Sequence, residues 1–239
     1  MNVNTYKLNL IIDNEEEFKD CFKIYPTIKT KFKKVMDNSH LIQLVYDQGH
    51  LGSCVSNALC NALKEKDIYP SRLYVYYNAR IDKNSDTGLS IYQGLKTLSE
   101  YGYCKEALYP YVISKFNEKP NRKAYIDGHT RSGCRYASIQ NEKLFLKNEI
   151  FEGRLIIFGA KIYESFLKTG NDAMVKIPDT TTEKCLGSHC MLIVGCNSYK
   201  KCYRVLNSWS SKWCDNGLCW LPYEFIHNKQ LCSNFFVIL

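Results

Sequence analysis

The sequence predicts an α+β fold, with helices gathered in its first half and strands in its second. Three observations carry that prediction. Apolar residues recur at helical spacing between residues 54 and 101, short apolar runs of strand length dominate after residue 155, and the two kinds of segment do not alternate. With 239 residues, 45% apolar and 23% charged, the chain suits one compact unit or two small lobes sharing a cleft. That composition excludes collagenous and wholly disordered chains.

Residues 13–25 read as a short helix. Asp13 or Asn14 can cap it, Glu15, Glu16 and Glu17 suit its first turn, Phe18, Phe22 and Tyr25 share a face, and Pro26 stops it. A basic, irregular stretch follows to about Asn38, and residues 47–53 form a loop of turn formers. From Ser53 and Cys54 onward, Val55, Ala58, Leu59, Ala62 and Leu63 fall at i, i+3, i+4, i+7 and i+8, a helix with a strongly apolar face. A tyrosine-rich helix is expected over 71–80 and another over 90–101, after a turn at 85–88. Pro110, Pro120 and Gly128 punctuate a loop region where a lobe boundary is expected. Residues 141–152 suit a helix ended by Gly153. Runs at 155–158, 190–194, 202–206 and 235–239 read as strands. The expected division is an N-terminal extension over 1–38, a helical lobe over 39–128 and a strand-rich lobe over 129–239.

A formal net charge of +8 reads as a mildly basic, solvated surface. Its densest basic run, residues 29–34, has no zinc-finger, RNA-recognition or helix-turn-helix pattern beside it, so no nucleic-acid partner is expected. The twelve cysteines are scattered without a CxxC pair, which gives a zinc ribbon or thioredoxin-like motif no support. The first thirteen residues lack a basic region followed by a long apolar stretch, and no run approaches the ~18 apolar residues of a membrane span. The expectation is a monomer with reduced thiols, without signal peptide or membrane partner, inside a cell or packaged in a virion.

Cys54 stands where a helix begins. Unpartnered N–H groups and the helix dipole there favour negative charge, so its thiol pKa is expected to fall. The bland alternative is a buried structural cysteine. The surrounding residues decide between them. Gln48-Gly-His-Leu-Gly-Ser-Cys54, then Gly187-Ser-His-Cys-Met-Leu-Ile-Val-Gly195, then Asn207-Ser-Trp209 with Trp213 and Asn216-Gly217, resemble the three active-site blocks of the papain and cathepsin family of cysteine peptidases. His189 and Asn207 follow Cys54 by 135 and 153 residues, against roughly 130–150 in that family. The resemblance covers about residues 40–239. Segments 70–80, 86–94 and 101–106 look more like bacterial and large-DNA-virus members than like animal cathepsins.

The resemblance implies a papain-like two-lobe fold, with a helical left lobe, a β-barrel-like right lobe and the active site between them. It implies Cys54 as nucleophile, His189 as general base and acid, Asn207 as the residue orienting the imidazole, and Gln48 as an oxyanion donor. Trp209 would shield the Asn–His bond, and Gly52, Ser53, Gly88 and Ser188 would line the substrate cleft. The implied partner is a polypeptide substrate, and the reaction needs no metal or organic cofactor. Several positions depart from the family pattern. Val55 replaces an aromatic, Leu51 stands where a disulfide cysteine is common, and Ser210 and Cys214 stand where glycine is usual. His50 reads as an exposed loop residue, His40, His129 and His227 as surface or satisfied structural groups, and Cys60 as core. The segment ahead of residue 39 is far shorter than cathepsin pro-domains. It is expected over or beside the cleft as a self-inhibitory extension, or else as a plain cap on the second lobe. Two alternatives share these residues: a catalytically silent papain-like binding protein, and a Cys-His isopeptidase or acyl hydrolase.

Overall fold

The computed structural model describes residues 5–24, 32–63, 68–170 and 172–239. The first half supplies helices α1 (Cys54–Ala62), α2 (Arg72–Ala79), α3 (Ile91–Tyr101) and α4 (Arg122–His129), with short strands β1 (Leu10–Ile11), β2 (Val35–Asp37) and β3 (Leu89–Ser90). The second half holds β4 (Tyr136–Ser138), α5 (Lys143–Phe151), β5 (Ile156–Tyr163), α6 (Glu164–Leu167), β6 (Cys185–Asn197), β7 (Cys202–Leu206), β8 (Leu218–Pro222), α7 (Tyr223–His227) and β9 (Cys232–Ile238). The α+β expectation holds.

The main sheet runs β4-β9-β5-β6-β7-β8, with β2 pairing β6 off that path. The order is linear, so the strand-rich half is an open sheet and not a closed barrel. Its two central strands, β5 and β6, carry buried runs without a polar break over residues 156–160 and 190–196, because both faces are covered there. Ile157, Cys190, Leu192 and Val194 face the cluster under α1, α2 and α3, whereas Ile156, Phe158, Met191 and Ile193 join a second cluster on the other side. Helix α1 is wedged between the other helices and β6, and all nine of its residues are buried.

The helix expected over 13–25 does not form. Among the described residues of that stretch, a single 3₁₀ turn covers Glu15–Phe18, capped by Asn14, while Tyr25 and Pro26 lie outside the described residues. Asp13 turns inward, accepting from the Tyr92 N–H at 3.1 Å, and Phe18 packs edge-on to Phe236. Tertiary contacts outweigh helix propensity in so short a segment. Helix α3 starts with a capping box between Ser90 and Gln93. Ser210 and Cys214 adopt positive φ, at 63° and 44°, so they take the left-handed backbone that glycine usually supplies. All twelve cysteines are free thiols.

Candidate active site

Because α1 begins at Cys54, the thiol lies at a helix end whose N–H groups have no intrahelical partner. Ser53 does not cap that helix with its hydroxyl. The hydroxyl bonds the Tyr111 phenol and accepts from Asn57 Nδ2 at 3.0 Å, which ties the entering loop to both. The packing of α1 on β6 brings the Cys54 sulfur within hydrogen-bonding reach of the Cys190 backbone, one residue beyond His189.

His189 is fully buried on β6, opposite Ala160 of β5. Its Nε2 lies 2.7 Å from Asn207 Oδ1, and its Nδ1 is buried with no partner. Asn207 Oδ1 also accepts from the Ser208 N–H at 2.7 Å. An oxygen so placed can only accept, so the network assigns the imidazole proton to Nε2 and leaves Nδ1 a bare lone pair. The ring sits against Trp209, centroids 5.2 Å apart, and that indole is fully buried with Phe166 and Trp213 packed edge-on to it.

Burial pushes the Cys54 thiol up to about 11. The Asp86 charge adds to that rise, while backbone N–H groups of Cys190, Val55 and Cys54 offset part of it. Burial also takes His189 down to about 4 against the opposing bond from Asn207. Thiol and imidazole are therefore both neutral near pH 7. The lowered thiol pKa expected from the helix end is not found here, because loss of water costs the thiolate more than the helix end returns.

The chain's own residues 6–10 lie against the residues that flank this pair. Tyr6 stacks on Trp209 with centroids 5.1 Å apart and rings 14° from parallel. The Lys7 carbonyl accepts from Gln48 Nε2 at 3.1 Å. Leu8 covers Gly187, Asn9 pairs in parallel with Ser188, and Leu10 pairs with Leu89 while its side chain lies over Gly159. Gln48 is fully buried, its Nε2 also donating to Leu51 O at 3.0 Å and its Oε1 accepting from Ser208 Oγ at 2.7 Å. Two glycines make room for this strip. A Cβ on Gly88, whose φ is +79°, would fall 1.8 Å from Asn9 O, and one on Gly52 would meet the Asn9 side chain at 2.9 Å.

Of the residues singled out from the sequence, Gln48, Gly52, Gly88, Ser188 and Trp209 meet this strip directly; His189 and Asn207 adjoin Ser188 and Trp209, and Ser53 and Cys54 follow Gly52 into α1. His40, His50 and His129 are exposed, His227 is held between Tyr203 and Asn141, and Cys60 is core. The sequence reading missed Asp86, whose carboxylate accepts from the Gly52 N–H, the Tyr76 phenol and the Lys7 ammonium. Its signal was the Asp-Thr-Gly turn that ends at Gly88. Among the described residues no cluster of His, Cys, Asp and Glu could hold a metal ion. No helix there is long and apolar enough to cross a membrane. A groove of about 690 Å³ runs between residues 13–24 and the 138–142 and 229–235 segments, and Cys54 is not among the residues that line it.

Comparison with known proteins gives one consistent result. The family model described as "Papain family cysteine protease" matches residues 31–233. An uncharacterized peptidase C1-like protein of Acanthamoeba polyphaga mimivirus is 32% identical over 262 residues, spanning 97% of this chain and 83% of that protein. Among solved structures, xylellain, a cysteine protease from Xylella fastidiosa, superposes with a TM-score of 0.88 at 29% identity, covering 98% of this chain and 96% of its own. A procathepsin B from Trypanosoma congolense shares the fold, with a TM-score of 0.74 at 12% identity over 98% of this chain and 87% of its own.

Proposed function

The chain belongs to the papain family of cysteine proteases, and from that premise we propose that it cleaves peptide bonds internally through a thioester on Cys54. The observation that carries this reading is the imidazole of His189, fixed by Asn207 at Nε2 and bare at Nδ1, on the strand that the Cys54 thiol packs against. In the exposed cleft the Cys54 proton passes to His189 Nδ1 and the sulfur attacks the scissile carbonyl. Gln48 Nε2 and the Cys54 backbone N–H hold the resulting oxyanion. His189 returns its proton to the leaving amine, and the C–N bond breaks. A water, deprotonated by the neutral imidazole, then attacks the thioester and restores the thiol. Asn207 keeps the imidazole in one tautomer throughout, and Trp209 keeps water from that bond.

Residues 6–10 act in this reading as a self-inhibitory strip, so the described form is a latent one. The support is specific: the Gln48 amide that would serve the oxyanion is occupied by the Lys7 carbonyl, and Tyr6 lies flat on Trp209. The test of the peptidase is direct. Cys54→Ala should abolish both cleavage of a peptide library and labelling by a thiol-directed epoxide. Cleavage that persists in this variant would defeat the assignment.

A further inference from the structure

Lys7 occupies two places at once. Its carbonyl takes the Gln48 amide, and its ammonium lies 2.6 Å from Asp86 Oδ2. If Gln48 serves the oxyanion, a residue placed this way stands where the substrate residue with the scissile carbonyl stands, and Asp86 is what its side chain meets.

Asp86 is built for a cation. Its side chain is only 12% exposed. The Gly52 N–H reaches both carboxylate oxygens, at 3.0 and 3.2 Å, and the buried Tyr76 phenol donates to Oδ1. Burial and the Asp86 charge keep that phenol protonated, so it remains a donor. These neutral donors orient the carboxylate but do not discharge it. Arg80 stacks on Tyr76 nearby, yet its guanidinium donates to the carbonyls of Asp82, Lys83 and Phe116. Among the described residues the Lys7 ammonium is the cation paired with Asp86. When the strip leaves, a fixed, poorly hydrated negative charge faces the cleft, which costs free energy until another cation takes the place.

We propose that Asp86 is the specificity residue of the cleft, selecting a lysine or arginine side chain on the substrate residue whose carbonyl Cys54 attacks. The proposal rests on the peptidase reading above. It makes Lys7 a resident copy of the preferred side chain, so the charge that holds the strip is the charge that recognises substrate. A substrate ammonium there also offsets the Asp86 charge that opposes thiolate formation at Cys54.

The test uses full-length protein, wild type and the strip-loosened Leu10→Ala, with four quenched fluorescent peptides differing only at the residue before the scissile bond: Lys, Arg, Gln or Glu. The expected kcat/KM favours Lys and Arg over Gln by roughly 10- to 100-fold, with Glu lowest. In Asp86→Asn the ratio of Lys to Gln should fall to near one. Equal rates on all four peptides, or a ratio unaltered in Asp86→Asn, would overturn charge selection while leaving the peptidase in place. Failure to cleave any peptide, with no epoxide label on Cys54, would overturn the peptidase reading and this proposal with it. The Lys-to-Gln ratio of the unmutated Asp86 site decides the matter even if Asp86→Asn misfolds.

Discussion

The floor of the cleft and the strip that covers it are held by different means. Gln48, Cys54, His189 and Asn207 are each at most 1% exposed, and each belongs to a loop, helix or strand fixed by the main sheet and its packed helices. The strip pairs with the body through two residues of β1 and one isolated bridge at Asn9. Its charged anchor, Lys7, is 48% exposed, and Ile11 is 44% exposed. A segment with few buried contacts opens at low cost, whereas a floor of buried, hydrogen-bonded groups opens only when the domain unfolds. On the proposed peptidase reading, the contrast separates reactive groups that are already assembled from the strip that withholds their access to water and substrate.

The largest effect should come from breaking the floor. Asn207→Ala removes the acceptor that fixes His189 Nε2 and frees the imidazole to rotate or change tautomer. Turnover should fall on the order of 10²–10⁴-fold, the share usually assigned to a well-placed acid–base group, with the thermal melt still cooperative. A loss smaller than tenfold would mean that Asn207 does not orient the base.

Loosening the strip should work in the opposite direction. Leu10 is 7% exposed and seated over Gly159, and it is the most buried residue of the 6–10 strip. Leu10→Ala removes about 2–5 kcal/mol where such a side chain is well packed. The uncovered population, and with it the rate of Cys54 alkylation by iodoacetamide at neutral pH, should rise on the order of 10- to 10³-fold. Release should also bring the thiol down from about 11, because burial is what holds it there. Alkylation at the unaltered wild-type rate would show that the strip does not control access to the thiol.

Much of the floor was legible in the sequence, and the reasons differ from element to element. Helix α1 announced itself because its apolar stripe is unbroken, and β7 fell at the expected bounds because the Cys202–Leu206 run is bracketed by turns. Strand β6 is longer than its apolar run. Its ends at 185–188 and 195–197 are strand because β5 pairs the first and β2 and β7 the second, which no local pattern reveals. Helix α4 was read as loop, since only Ala124 and Gly128 of it are buried and no stripe forms. The positions of Cys54, His189, Asn207 and Gln48 came from motif blocks. What the sequence could not give was the electrostatics: the thiol's direction of shift is set by its complete burial in the fold, a tertiary fact.

The comparison between floor and strip can be sharpened with protons. His189 is held near 4 in the covered, folded chain against an ordinary value of 6.5. A histidine whose folded pKa is depressed contributes stability above its unfolded pKa and loses that contribution as pH falls, here through the window from 6.5 down to about 4. The loss across the whole window is about 3 kcal/mol at most. Asp13 works with the opposite sign, because burial raises its carboxyl and its protonated form is the one the fold tolerates. A bare pH-stability curve therefore mixes the two. Urea unfolding at pH 7 and pH 4.5, run on wild type and His189→Gln, separates them: the wild type should lose more stability on acidification, and the variant should lack that extra loss. Equal slopes would mean that the imidazole is not sealed from water, and that the strip covers the cleft more loosely than its contacts imply. Unequal slopes would make mild acid a means of favouring the uncovered form, since protonating the buried imidazole is compatible with an open cleft and not with a dry one.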